Sequence, residues 1–158
     1  MPERRSPLDG WSLERPGLRL RELPHLAQVT LRGDMPPEQP ALPLGPDEWL
    51  VVGAPEEAAA IVARLEQATA GRHAQVLDSS ASRTVVELAG PRATEILEMG
   101  CGLDLHPGAF PVGRCASTLL ARSGVILHLV DAVPTWRLYV RASYARYLRH
   151  WLSAAAGA

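Results

Sequence analysis

The chain has 158 residues, 47% hydrophobic and 21% charged, with a formal net charge of −1. That is enough to bury a core as one domain, and the near-neutral balance excludes a surface built to grip a nucleic-acid backbone or an anionic membrane. The 16 basic residues are all arginine, which excludes lysine Schiff-base, phosphate-loop and general-base chemistry.

Asparagine is also absent, so there is no N-glycosylation acceptor; a GC-rich genome is the simplest reason for both absences. From Met1 to Pro24 the pattern is irregular, broken by prolines 2, 7, 16 and 24. A free tail seldom carries a tryptophan and this many leucines. The segment reads as an extended N-terminal arm, 1–24, which either packs on its own domain or lies along a partner. Leu8, Trp11 and Leu13 are the candidates for burial against a partner, and deleting 1–24 is then expected to weaken assembly while leaving the domain folded. The arginines near the start precede no apolar run, so no secretory signal is expected there. Nor does any run approach bilayer-spanning length.

His25 to Arg32 alternates, with Ala27, Val29 and Leu31 on the buried side of a strand. Asp34 to Pro46 is proline-rich and predicts a loop; a turn at Gly45-Pro46-Asp47-Glu48 then delivers the short strand Trp49–Val52. Ala54 to Ala70 predicts a helix with Pro55 in its first position, Ile61, Val62 and Leu65 in an apolar stripe, and Gly71 as its stop. A strand at Gln75–Leu77 leads into the stretch around which the chain is organised. There Arg83–Leu88 is a strand, Gly90-Pro91 a break, Ala93 to Leu97 a short amphipathic helix, and Gly100 and Gly102 its end. Leu103 to Pro111 is a loop. Arg114–Arg122, Val125–Asp131 and Thr135–Arg141 predict an antiparallel meander, with turns at Ser123-Gly124 and Ala132–Pro134. Ser143 caps a final helix with Tyr144, Tyr147, Leu148, Trp151 and Leu152 on its apolar face, and residues 154–158 fray. The expected architecture is α+β: one domain over 25–153, its sheet largely antiparallel, strand-helix-strand units followed by a meander and a C-terminal helix.

Chemistry-bearing motifs are scarce. Histidines 25, 73, 106, 128 and 150 show no metal-ligand spacing. A Cys101/His106/Cys115 site lacks an obvious fourth ligand. Ser79, Ser80 and Ser82 near Asp78 and His73 read as a turn, since no nucleophile elbow is present. Cys101 lies at a helix C-terminus, whose dipole opposes thiolate formation. Asp131 begins a turn. Arg83, Arg114, Arg122, Arg137 and Arg141 stand on or beside strands, where one or two are placed to clamp a carboxylate. The two cysteines make no disulfide framework, and a reducing cytoplasm is expected. No catalytic, cofactor-binding or metal residue is assigned to the chain, which reads as an interaction or scaffold subunit.

Several stretches in order resemble the gamma subunit of heterotetrameric sarcosine oxidase: Ser6–Leu8, Leu44–Leu50, Asp78–Leu88 with Gly90–Ala93, Gly100-Cys101 with Leu103–Pro107, Ala109–Phe110–Pro111 with Gly113–Cys115, and Ser143–Ala145 with Tyr147–Arg149 and Trp151-Leu152. The resemblance runs from Ser6 to Leu152; Gly90-Pro91 and its helix also look like the more distant aminomethyltransferase (glycine-cleavage T protein) domain. It implies a folate-binding-domain-like fold and a non-catalytic subunit working with alpha, beta and delta chains. It further implies a complex that converts sarcosine to glycine and hydrogen peroxide, with formaldehyde or methylenetetrahydrofolate as the one-carbon product. FAD, FMN, NAD, tetrahydrofolate and zinc are expected on the partner subunits, none on this chain. Two alternatives stay open: the equivalent subunit of an N-methylglutamate dehydrogenase-like complex, and a stand-alone folate-binding domain using Asp78, Asp104 or Asp131 for the pterin.

Overall fold

Alternation of buried and solvated residues shapes most of the chain, and every strand pairing it produces is antiparallel. The computed structural model describes residues 4–38 and 40–157. Its strands are β1 Ser12–Arg15, β2 Leu18–Leu23, β3 Ala27–Gly33, β4 Leu42–Gly45, β5 Glu48–Gly53, β6 Ala74–Asp78, β7 Arg83–Ala89, β8 Cys115–Leu120, β9 Ser123–Asp131 and β10 Thr135–Arg141. The helices are α1 Ala58–Ala68, α2 Ala93–Glu98 and α3 Ala145–Gly157, the last entered through a 3-10 turn at Ala142–Tyr144.

These elements form two units rather than the expected single domain over 25–153. One unit is discontinuous: it joins the residues up to Pro24 to those from Arg83 onward, and its sheet runs β1-β2-β7-β10-β9-β8. The other is His25–Ser82, with a sheet ordered β4-β5-β3-β6 and α1.

In the discontinuous unit, the face of the sheet bearing Leu20, Val86, Leu88, Leu127, Trp136, Leu138 and Val140 packs in one cluster with Ile96 and Leu97 of α2 and Leu148 and Leu152 of α3. Burying each such leucine contributes about 1.5–3 kcal/mol. Phe110, in the loop after α2, tilts against Trp136 with ring centroids 5.0 Å apart. The Trp136 indole N–H donates to Thr94 Oγ1 at 3.0 Å, which satisfies its polar edge inside the core. In the unit His25–Ser82, Ala27, Val29, Leu31 and Val51 meet Ile61 and Leu65 of α1.

The expected arm is instead part of a sheet. Residues 12–23 form a hairpin whose second strand pairs with β7, Leu20 opposite Leu88. Leu8 is only 2% exposed, within the same core. Two constraints hold this segment. Glu22, 5% exposed, accepts from Ser6 Oγ (2.8 Å), Leu8 N (3.3 Å), Gly10 N (2.8 Å) and Thr84 Oγ1 (2.6 Å). A carboxylate buried without a cation is tolerated where such donors replace its water. The second is a close approach. Gly17 turns β1 into β2 with φ +71°, and a Cβ on Gly90 (φ +118°) would collide with the Gly17 carbonyl, so only glycine fits at 90.

Other boundaries differ locally. The loop expected over 34–46 contains β4, whose residues Leu42 and Pro43 pair with β5; proline is allowed there because β4 is an edge strand. Helix α1 begins at Ala58, not near Pro55. Glu57 stands at its N-cap and takes the N–H of Ala54 on its carboxylate at 2.7 Å, forming a turn that delays the helix. The β8–β9 hairpin turns at Ala121-Arg122, two residues before Ser123-Gly124, because Leu120 pairs with Ser123; Ala121 takes φ +52° to close it. Residues 154–157 do not fray: α3 continues to Gly157, with Ala155 and Ala156 in the core.

Removing residues 1–24 should therefore unfold the discontinuous unit, and Glu22→Ala should cost about 2–4 kcal/mol by stranding buried donors. Circular dichroism and urea titration test both. A truncated chain with native cooperativity would restore the reading of 1–24 as an arm outside the folded domain.

Candidate functional site

The second face of the six-stranded sheet, opposite the core cluster, carries a line of ionisable groups. Strand register aligns five of them in one row: Arg21 opposite Glu87, Glu87 opposite Arg137, Arg137 opposite His128, and His128 opposite Cys115. The row crosses β2, β7, β10, β9 and β8. At its centre the Glu87 side chain is 5% exposed and bridges two guanidiniums. Arg21 donates to Oε1 through Nε (2.9 Å) and Nη2 (2.7 Å), and Arg137 Nε donates to Oε2 (3.2 Å). One carboxylate between two cations leaves the row net positive. Both arginines keep part of their side chain in solvent, so the pairs act as a cross-strand clamp more than as deeply buried ion pairs.

A thiol facing an imidazole is the arrangement of a nucleophile and its base. Here the electrostatics oppose that use. Burial pushes the Cys115 thiol up, only partly offset by Arg114. Burial, and then the Arg137 charge, pushes the His128 imidazole down. Both shifts favour neutral partners over a thiolate–imidazolium pair. The phenol of Tyr139, one row further along β10, is likewise pushed up, chiefly by burial.

The residues singled out from the sequence fall elsewhere. Leu8 lies in the core, while Trp11 and Leu13 pack half-buried against it; the Arg149 guanidinium sits 5.8 Å from the Trp11 ring centroid. The structure therefore removes Leu8 from the candidate interface, because its side chain is already occupied within its own unit. Cys101, His106 and Cys115 do not converge as ligands: Cys101 bridges to Leu120, the His106 Nδ1 accepts from Gly108 N, and Cys115 faces His128. Among the described residues, no three His, Cys, Asp or Glu side chains gather in a metal-holding group. Ser79 and Ser80 brace a turn, with Ser79 Oγ donating to the Gln28 carbonyl at 3.1 Å. The aspartates considered for a pterin, Asp78, Asp104 and Asp131, each take the backbone N–H two residues on, at 3.0, 2.9 and 3.0 Å. These are Asx turns. The Asp131 carboxyl is held below its ordinary value first by that N–H from Val133. Of the strand arginines, Arg137 does clamp a carboxylate, whereas Arg114 lies over the Phe110 ring, 5.2 Å from its centroid. Arg21, Glu87 and His128 were not marked as a site by spacing. Their only signal is that each occupies a polar position in an alternating strand.

The model of the sarcosine oxidase gamma subunit family matches residues 23–158. A curated sarcosine oxidase subunit gamma from Corynebacterium sp. (strain U-96) is 42% identical over 109 residues, 69% of this chain and 52% of that protein. Its counterpart from Arthrobacter sp. is 40% identical over the same shares. The chain thus spans about half the length of the curated relatives it matches. A solved chain of the heterotetrameric sarcosine oxidase from Corynebacterium sp. U-96, in complex with pyrrole 2-carboxylate, superposes with a TM-score of 0.84 at 30% identity; the match covers 98% of this chain and 95% of that one. The glycine cleavage system aminomethyltransferase T from Bartonella henselae shares the fold, with a TM-score of 0.62 at 15% identity over 83% of this chain and 44% of that one.

Two measurements probe the row. Glu87→Gln removes the counter-charge of both guanidiniums and should cost about 1–3 kcal/mol in urea unfolding. For His128 the folded pKa lies below the ordinary 6.5, so the unfolded chain takes up that proton first. The stability due to a neutral His128 is present above pH 6.5 and is lost as pH falls through the folded value. Calorimetry between pH 7 and 5 should show the melting temperature falling less steeply in His128→Gln than in the unsubstituted chain; parallel slopes would remove His128 as the source.

Proposed function

This chain belongs to the sarcosine oxidase gamma subunit family, and on that premise we propose that it is the non-catalytic small subunit of a heterotetrameric flavoprotein sarcosine oxidase. Its role is to support assembly with the alpha, beta and delta chains. The assembled enzyme oxidatively demethylates sarcosine to glycine, yielding hydrogen peroxide and either formaldehyde or methylenetetrahydrofolate. FAD, FMN, NAD, tetrahydrofolate and zinc reside on the partner chains, and the complex works in the cytoplasm. The observation that carries this reading is the near-full-length superposition on a chain of the solved heterotetramer. The neutral Cys115–His128 pair and the turn-bound aspartates support a chain without reacting groups of its own. Neither cysteine is in a disulfide, which agrees with a reducing compartment. Among the described residues, no helix is long and apolar enough to cross a membrane.

Purification of the tagged chain from its native cells should bring down larger chains with a flavin absorbance spectrum, and that material should oxidise sarcosine. Leaving this chain out of co-expression should lower the yield of assembled complex, with activity lost in proportion. A preference for N-methylglutamate would reassign the substrate. A lone, colourless monomer would overturn the subunit reading.

A further inference from the structure

Four strands lie at sheet edges: β1 and β8 in one sheet, β4 and β6 in the other. An edge offers backbone N–H and C=O groups to any extended chain, and proteins protect it with charge, proline, a bulge or shortness. β1 has four residues and carries Glu14 and Arg15; β4 carries Pro43 and a register shift before Gly45; β6 ends on Asp78. β8 has none of these devices. Its six residues, Cys115–Leu120, include no charge and no proline, and their register with β9 is continuous. Leu119, on the same strand, is 61% exposed. The hairpin fixes which way each backbone group of β8 faces. Leu120 and Ser123 close a two-residue turn as a hydrogen-bonded pair, and bonded pairs recur at every second residue. Thr118 and Ala116 therefore bond β9, and Arg114 continues the series, its carbonyl accepting from Leu129 N at 3.1 Å. Ser117 points its N–H and C=O the other way, to the open edge. That edge already takes a strand-like partner at one end, where Cys101 bridges antiparallel to Leu120 and Ala121 N donates to the Gly100 carbonyl at 2.9 Å. The chain leaves this alignment after Cys101, and among the described residues no backbone group outside the sheet bonds Ser117.

We infer that the open edge of β8 takes up an extended segment of a larger partner chain as a seventh strand, paired through the N–H and C=O of Ser117, with an apolar side chain of that segment beside Leu119. The inference rests on the subunit reading proposed above and adds to it the surface used and the conformation of what it meets. That reading has this chain assemble with unlike chains, so the added strand comes from one of them rather than from a second copy. In such an addition the backbone pairing supplies affinity, and the exposed Leu119 supplies a side-chain preference.

Proline tests the backbone pairing directly. Ser117→Pro removes the outward N–H and leaves the bonds to β9 in place, and an edge strand tolerates proline. Shown to be folded by its thermal transition, this variant should bind the purified partner chains at least about tenfold more weakly, whereas Ser117→Ala should bind as the unsubstituted chain does. In the unsubstituted assembled complex, hydrogen exchange resolved to single amides should find Ser117 as slow as its neighbours Ala116 and Thr118. If the complex forms but Ser117 exchanges fast beside a slow Thr118, or the folded proline variant binds equally well, this inference fails and the subunit reading stands. Should Ser117→Pro lose its thermal transition, the exchange pattern decides alone. Slow exchange at Ser117 in a self-associated form of this chain, without partner chains, also overturns the inference. If no complex forms with the unsubstituted chain, both readings fail.

Discussion

Glu22 lies among apolar side chains, with no ion pair among the described residues, and is held there by donors from two distant parts of the chain. Its carboxylate collects the loop at Ser6–Gly10 on one side and the Thr84 hydroxyl on the other. That contact ties the start of the chain to β7, and much else depends on it. With β2 in place, Leu20 closes the core face beside Leu88, and Arg21 reaches Glu87 on the opposite face. A single strand therefore contributes to both the apolar packing and the charged row, because alternation sends successive residues to opposite sides. Among the described residues, the cost of burying this carboxylate is met by hydrogen-bond donors rather than by a cation.

The charged face is organised by the same register. Each cross-strand neighbour is fixed by pairing, so the order Arg21, Glu87, Arg137, His128, Cys115 follows once the strands are aligned. Moving any strand by one residue would carry its ionisable group into the core. The row is consequently as strongly specified as the apolar face behind it. Its chemistry suits recognition and clamping: Glu87 is occupied by two guanidiniums, and burial disfavours charge separation between Cys115 and His128.

The sequence made some of this plain and concealed the rest for physical reasons. The meander from Cys115 to Arg141 is legible because close sequence neighbours pair and the turns are short. The Gly90-Pro91 break before α2 is legible because glycine and proline constrain the backbone locally. Residues 1–24 mislead because their pairing partner, β7, lies far along the chain; without it, Leu18 and Leu20 look like scattered hydrophobics. The proline in Leu42–Gly45 hid an edge strand, and Glu57, binding its own upstream backbone, hid the true start of α1. The candidate site was the least legible feature. Cys115 and His128 have no recognisable spacing, and only the hairpin register brings them face to face. The three aspartates looked available until their backbone hydrogen bonds were visible.

The discontinuous unit has a consequence for synthesis on the ribosome. Strands β1 and β2 emerge early, yet their partner β7 is made only after the whole of His25–Ser82. During that interval Leu18 and Leu20 lack the β7 strand beside them, and the carboxylate of Glu22 lacks the Thr84 hydroxyl. The unit His25–Ser82, whose sheet and helix are contiguous in sequence, has all its pairings available first. Translation thus delivers the interrupting unit ready to fold while the unit it interrupts waits for its other half, and nascent chains halted before Arg83 would present an apolar, unpaired hairpin to the chaperones around the exit tunnel.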